Sequence, residues 1–153
     1  MFMIKIICVG KVKEKFYRDA IDEYTKRLSK YTKIDIIEVP DFENENKDIV
    51  LTKEKDNIIK HLNDKDYIIT LEIEGQELSS LELSKKLDKT LITNSNITFI
   101  IGGSYGLHQK IKNKSNFKLS FSKLTFPHQL FRIILLEQIY RAYKILNNES
   151  YHK

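Results

Sequence analysis

Hydrophobic positions along the chain follow two alternating patterns. Short apolar runs rich in β-branched residues, which are typical of strands buried on both faces, lie at residues 3–9, 34–39, 67–73, 97–101 and 118–121. Segments with one apolar face, which are typical of helices, lie at about residues 14–31, 48–63, 80–91, 107–113 and 127–147. This alternation predicts an α/β fold with a mainly parallel, doubly wound sheet and helices on both faces. We expect a single domain over residues 1–153.

Three predicted loops follow the carboxyl ends of strands, where parallel sheets bind their ligands. They cover residues 72–76, 102–107 and 122–127. The second loop reads Gly102-Gly103-Ser104-Tyr105-Gly106, and its glycines allow the backbone to approach a ligand closely. Its spacing matches neither a Walker A loop nor the dinucleotide fingerprint. A structural turn and a ligand-binding loop are therefore both open interpretations of these glycines.

The segment between the last strand and the last helix is polar. Ser120, Ser122 and Thr125 supply hydroxyl groups, and the backbone between them could read the edge of an adenine. The alternative is that Thr125 only caps the helix that begins near Pro127. His128 is either a structural imidazole or part of a ligand pocket, and the sequence favours neither.

The last predicted helix is apolar on more than one face, whereas a surface helix needs only one apolar stripe. The excess predicts that the helix packs on the sheet with one side and on a second subunit with another. Glu137 and Arg141 are four residues apart and share a face, either as a simple ion pair or as functional groups. The chain ends on a hydroxyl, an imidazole and a cation, Tyr151-His152-Lys153.

The net charge of +5 suggests an anionic partner such as nucleic acid, although an AT-rich coding sequence would also produce many lysines. Cys8, the single cysteine, lies in an apolar strand and is expected to be a buried structural thiol in a reducing cytoplasm. The four histidines show no metal-ligand spacing. Residues 1–12 are typical of a first strand and not of a signal peptide, and we expect no membrane span.

Several long motifs match a known family. They are Phe99-Ile100-Ile101-Gly102-Gly103-Ser104-Tyr105-Gly106-Leu107, the stretch from Leu119 to Gln129, Glu137-Gln138-Ile139-Tyr140-Arg141-Ala142 and the closing Tyr151-His152-Lys153. With these motifs the whole chain resembles the RlmH family, the 23S rRNA pseudouridine N3-methyltransferases of the SPOUT superfamily.

This resemblance implies a fold whose C-terminal part forms a deep trefoil knot, and it implies a homodimer. It also implies a site for S-adenosylmethionine, with no metal, in the knot. The residues that would hold this methyl donor are Leu71, Gly102, Gly103, Phe121, Ser122, Lys123, Leu124, Thr125 and Phe126. The implied reaction is methyl transfer to N3 of a pseudouridine in 23S rRNA, on assembled ribosomes.

Transfer to N3 requires that a proton leave the nitrogen. The candidate catalytic residues are His152, Tyr151 and Glu137, together with Arg141, and the tail of one subunit could complete the site of the other. Basic side chains suited to RNA phosphates are Arg132, Arg141, Lys153 and Lys123. The alternatives are a SPOUT methyltransferase acting on tRNA, a non-catalytic ribosome-associated RNA-binding dimer and a flavodoxin-like nucleotide-binding module.

Overall fold

The computed structural model describes residues 3–43 and 45–153. Its strands are β1 (Met3–Val9), β2 (Lys33–Val39), β3 (Tyr67–Glu77), β4 (Asn96–Ile101) and β5 (Phe117–Ser120). Its helices are α1 (Lys15–Leu28), α2 (Lys47–Ile59), α3 (Ser80–Thr93), α4 (Gln109–Lys114) and α5 (His128–Leu146). The strand–helix alternation predicted from the sequence is confirmed. The prediction for residues 1–12 includes Met1 and Phe2, which lie outside the described residues.

The strands form one sheet in the order β2-β1-β4-β3-β5, and each of its four described strand pairs is parallel. β1 lies inside the sheet, where Met3 pairs with Lys33 on one side and with Asn96 on the other. A strand in this position is covered on both faces, so all of its residues except Lys5 are apolar.

Helices cover both faces of the sheet, as predicted. On one face, α1, α3 and α5 pack over a large apolar cluster that includes Ile4, Ile6, Phe99, Leu87 and Leu136. On the other face, α2 and α4 pack over a smaller cluster that includes Ile7, Val9, Ile58, Ile100 and Ile111. The alternating residues of β1 therefore contribute to both cores.

α5 packs against the sheet and also against α1 and α3. Its buried residues include Leu135, Leu136, Ile139, Ala142 and Tyr143. These contacts within the chain account for part of the apolar excess that led us to expect a second subunit. The dimer remains a prediction.

The turn predicted at residues 74–76 is wrong, because β3 continues to Glu77. Leu71 and Gln76 both pair with Leu119 of β5, so the intervening residues form an irregular bulge in the strand. A Cβ on Gly75 would lie 2.8 Å from the backbone carbonyl of Lys118. Gly75 is therefore explained by the close approach of two backbones and not by a chain reversal.

Candidate functional site

A cleft opens beside the bulge in β3 and at the carboxyl ends of β4 and β5. Residues from all three regions expected at strand ends line it, which confirms that these regions meet. The lining residues are Leu71, Glu72, Ile73, Ile101, Gly102, Gly103, Gly106, Leu119, Ser120, Phe121, Ser122, Leu124, Thr125, Phe126, His128 and Phe131.

The glycine turn after β4 forms one wall of the cleft. A Cβ on Gly102 would lie 2.5 Å from the carbonyl oxygen of Gly106, which no side chain could tolerate without a backbone shift. Gly106 has a φ of +77° and donates its N–H to the carbonyl of Gly103 at 3.0 Å. The turn is therefore closed on itself and brings bare backbone to the edge of the cleft.

The loop from β5 to α5 forms the opposite wall. The hydroxyl of buried Ser120 donates to the carbonyl of Ser122 at 3.1 Å, and the hydroxyl of Ser122 accepts the N–H of Leu124 at 3.0 Å. Pro127 occupies the N-cap position of α5, and no side chain among the described residues caps this helix. The alternative that Thr125 is only a helix cap is therefore wrong, and Thr125 lines the cleft instead.

Three phenylalanines meet beside this loop. The ring centroid of Phe131 lies 5.0 Å from that of Phe121 and 5.8 Å from that of Phe126. All three side chains line the cleft. They give it an apolar aromatic wall suited to a flat ring system.

His128 begins α5 and lines the same cleft, which answers the question that the sequence left open. Burial and the nearby Arg132 cation lower the pKa of its imidazole, so the ring is neutral at neutral pH. Its Nδ1 is buried without a hydrogen-bond partner among the described residues.

Arg132 does not reach RNA phosphates, contrary to the prediction, because only 1% of the residue is exposed. Its guanidinium donates to the Glu38 carboxylate at 2.6 Å and to the carbonyls of Val9 and Gly10 at 3.1 and 2.6 Å. These bonds tie the first turns of α5 to the end of β1. Arg132 thus positions the part of α5 that lines the cleft.

The four predicted catalytic residues form a second cluster, which we call the tail cluster. Glu137 accepts hydrogen bonds from Arg141 at 2.8 Å and from the Tyr151 hydroxyl at 3.0 Å. Nη1 of Arg141 lies 3.2 Å from Nδ1 of His152, and its guanidinium stands 4.6 Å from the centre of the Tyr151 ring. The ion pair between Glu137 and Arg141 therefore exists, but as part of a larger network.

Two groups of the tail cluster, Tyr151 and Arg141, have raised pKa values. Burial and the hydrogen bond to Glu137 raise the pKa of Tyr151 above its ordinary value. The hydrogen bond to Glu137 likewise raises the pKa of Arg141. At neutral pH, Tyr151 is therefore a protonated donor and Arg141 is a cation.

The tail cluster and the cleft occupy different parts of the chain. On α5, Phe131 lines the cleft and Glu137 belongs to the tail cluster, and these two residues are six positions apart, or about 9 Å at the helical rise per residue. Within the part of the chain that the structure describes, the residues lining the cleft include no member of the tail cluster. Lys123 also lies outside the lining and is exposed.

Glu54 is a buried carboxyl beside the cleft that sequence reasoning missed. Only 4% of it is exposed, and both carboxylate oxygens lie 3.5 Å from where a Cβ of Gly103 would be. Burial raises its pKa to about 7, although it accepts a hydrogen bond from the backbone of Phe42. Its spacing of four residues from both Val50 and Ile58, which are buried, was the available signal.

Residues 3–43 and 45–153 hold neither a candidate metal cluster nor a candidate membrane span. No group of three or more His, Cys, Asp or Glu side chains is placed to hold a metal ion. No helix in this part of the chain combines the length and apolar character needed to cross a membrane.

Sequence comparison identifies the relatives of this chain. Residues 2–152 match the family described as "Predicted SPOUT methyltransferase". A putative ribosomal RNA large subunit methyltransferase H of Methanococcus vannielii is 56% identical, with 98% of this chain and 99% of that protein aligned. The ribosomal RNA large subunit methyltransferase H of Clostridium botulinum strain Loch Maree is 51% identical over the same shares.

Solved structures share the fold at low sequence identity. A probable methylase family protein from Haemophilus influenzae aligns with a TM-score of 0.57 and 13% identity, covering 98% of this chain and 70% of that one. A ribosomal RNA small subunit methyltransferase E from Neisseria gonorrhoeae, bound to S-adenosyl methionine, aligns with a TM-score of 0.52 and 10% identity, covering 95% and 66%. The sequence matches and the shared fold together show that this chain belongs to the SPOUT methyltransferases and, within them, to the RlmH family.

Proposed function

We propose that the protein uses S-adenosylmethionine to methylate N3 of a pseudouridine in 23S rRNA, on assembled ribosomes, and that it works as a cytoplasmic homodimer. The observation that carries this proposal is the cleft between the glycine turn and the β5–α5 loop, found in a chain of the RlmH family. The large-subunit rRNA in the names of its relatives is the reason for the choice of substrate.

The cleft fits the methyl donor. Eight of the nine residues expected to hold it line the cleft: Leu71, Gly102, Gly103, Phe121, Ser122, Leu124, Thr125 and Phe126. The aromatic wall suits a purine, and the bare backbone of the glycine turn offers polar groups at close range. When bound, S-adenosylmethionine supplies the methyl group. We propose that the segment from this turn through α5 forms the trefoil knot expected for the family.

The chain's own residues must orient the nucleobase and take its N3 proton. We propose His152 as the proton acceptor. Tyr151 and Arg141 are both held in their protonated forms. Both oxygens of Glu137 already accept hydrogen bonds from neighbouring side chains. In this scheme Glu137, Arg141 and Tyr151 hold the tail in place beside the target base.

No member of the tail cluster lines the cleft in the described part of the chain, which supports a site that a second protomer completes. We propose that the tail cluster of one protomer completes the cleft of its partner. A mixed dimer would then pair a subunit with a damaged cleft, Gly102→Ala, with a subunit lacking residues 151–153. Shared sites predict that this mixed dimer recovers activity at one site, whereas sites built within one chain predict that it stays inactive.

The function is tested by offering labelled S-adenosylmethionine with three acceptors: assembled ribosomes, free 23S rRNA and tRNA. The proposal predicts methyl incorporation into ribosomes above that into either free RNA. Incorporation into tRNA alone would favour the tRNA methyltransferase alternative. Ribosome binding without incorporation, and without saturable binding of S-adenosylmethionine by calorimetry, would favour the non-catalytic dimer.

A further inference from the structure

The connection between β1 and α1 carries an exposed aromatic ring among cations. Phe16, in the first turn of α1, is 64% exposed, and its ring centroid lies 4.4 Å from that of the half-buried Tyr17. We call residues 11–18 the basic aromatic segment. Its charged residues are four exposed cations and one carboxylate: Lys11, Lys13, Lys15, Arg18 and Glu14.

The basic aromatic segment is fixed at the edge of the cleft. The backbone N–H of Lys13 donates to the side chain of Gln129 at 3.3 Å, and Arg132 donates to the carbonyl of Gly10 at 2.6 Å. A Cβ on Gly10 would lie 3.6 Å from the ring of His128, which lines the cleft. A base held at the cleft would therefore have its neighbouring nucleotides near this segment.

A lone exposed apolar side chain is common on protein surfaces and needs no explanation by itself. The Lys15 ammonium also has a partner, since it pairs with Asp19 at 2.7 Å. What distinguishes Phe16 is the combination of an open ring face with a local excess of positive charge. Unpaired RNA bases stack on aromatic rings, and lysine and arginine neutralise the phosphates between them.

We propose that an unpaired nucleotide next to the target base stacks on Phe16 while the cations of the basic aromatic segment contact its phosphates. This inference rests on the proposed function, because it locates part of the RNA surface of the same site. RNA is favoured over a second copy of this chain on charge. The segment carries four cations and one carboxylate, a balance that suits RNA phosphates, whereas a second copy of this chain has a net charge of +5.

The test uses two substitutions that separate stacking from simple apolar contact. Phe16→Leu keeps an apolar side chain without a ring, whereas Phe16→Trp keeps a stacking surface. We expect Phe16→Leu to weaken binding of a fluorescent oligouridine of about ten nucleotides roughly tenfold and to raise the KM for ribosomes by a similar factor. Phe16→Trp should stay close to the unmodified protein in both assays. Calorimetric affinity for S-adenosylmethionine should be unchanged in both variants.

The matched control is Ile92→Ala at the end of α3, which changes an apolar residue that is 77% exposed. This residue lies toward the amino ends of the strands and so away from the cleft, because α3 leads into the start of β4. Oligouridine binding by Phe16→Leu equal to that of this control would overturn the proposal. So would a change that appears only in the dimer dissociation constant, measured by sedimentation. Failure of the proposed function looks different: the unmodified protein would then not methylate ribosomes, while oligouridine binding would still report on Phe16.

Discussion

Replacing Glu54 by glutamine should stabilise the protein at alkaline pH and not at acid pH. The carboxyl has a pKa of about 7 in the folded chain and an ordinary value of 4.5. The fold thus favours the protonated form of Glu54, and the ionised form destabilises the folded chain. This destabilisation is absent below about pH 4.5, grows as the pH rises to 7 and is constant above about pH 8. The difference of 2.5 pH units corresponds to about 3 kcal/mol.

Glutamine keeps an oxygen that can accept the backbone N–H of Phe42 and removes the titration. Urea unfolding of both proteins between about pH 4.5 and 9 would measure the effect. We expect Glu54→Gln to gain up to about 3 kcal/mol at pH 9 and little at pH 4.5. In thermal melts the gain at pH 9 corresponds to roughly 6–12 °C for a chain of this size.

The control is Glu43→Gln, which changes an exposed carboxyl in the neighbouring loop. It should leave the free energy of unfolding within about 0.5 kcal/mol of the starting protein at each pH. A difference between Glu54→Gln and the starting protein that does not vary with pH would refute the reasoning. A loss of stability of Glu54→Gln at pH 9 would also refute it.

Three further changes test other parts of the structure. Arg132→Met should lower the free energy of unfolding by about 2–4 kcal/mol in urea titrations, because the carbonyls of Val9 and Gly10 lose their buried donor; a loss below about 1 kcal/mol would contradict this. Gly102→Ala should weaken binding of S-adenosylmethionine at least about tenfold by calorimetry, because its Cβ would lie 2.5 Å from the Gly106 oxygen; unchanged affinity would remove the turn from the site. Burial raises the pKa of Cys8 to about 12, so a thiol reagent at pH 8 should label it only after unfolding; rapid labelling of the folded protein would contradict its burial.

The parts of the fold that could be predicted are those where local pattern and burial agree. β1 is covered on both faces, and its run of apolar residues, interrupted only by Lys5, predicts this directly. β3 shows the limit of such reasoning. A glycine at position 75 is equally typical of a turn and of a close contact between two backbones. Only the position of the neighbouring strand β5 shows that the second explanation is correct.

The site was partly predictable for a similar reason. Strand ends in a parallel sheet meet at one edge, so the cleft residues could be grouped without knowing the strand order. Arg132 and Glu54 could not be placed so easily, because a charged residue in a helix usually faces solvent. The acceptors that bond the terminal nitrogens of Arg132 include residues of β1 and β2, more than 90 residues away in the chain.

The sequence also could not show that the tail cluster lies outside the lining of the cleft. Tyr151 and Phe126 lie in motifs of one family, yet α5 separates the elements that carry them. Spacing along the chain does not reveal whether two motifs meet within one protomer or across two. The answer depends on how α5 runs along the sheet.

The central claim is that this cleft directs a methyl group to one atom of one class of nucleoside. The direct measurement is mass spectrometry of nucleosides from 23S rRNA of ribosomes incubated with the protein and isotopically labelled S-adenosylmethionine. The account predicts a labelled pseudouridine that carries its new methyl group on N3. Label on a ribose oxygen, on another base or only in tRNA would contradict it.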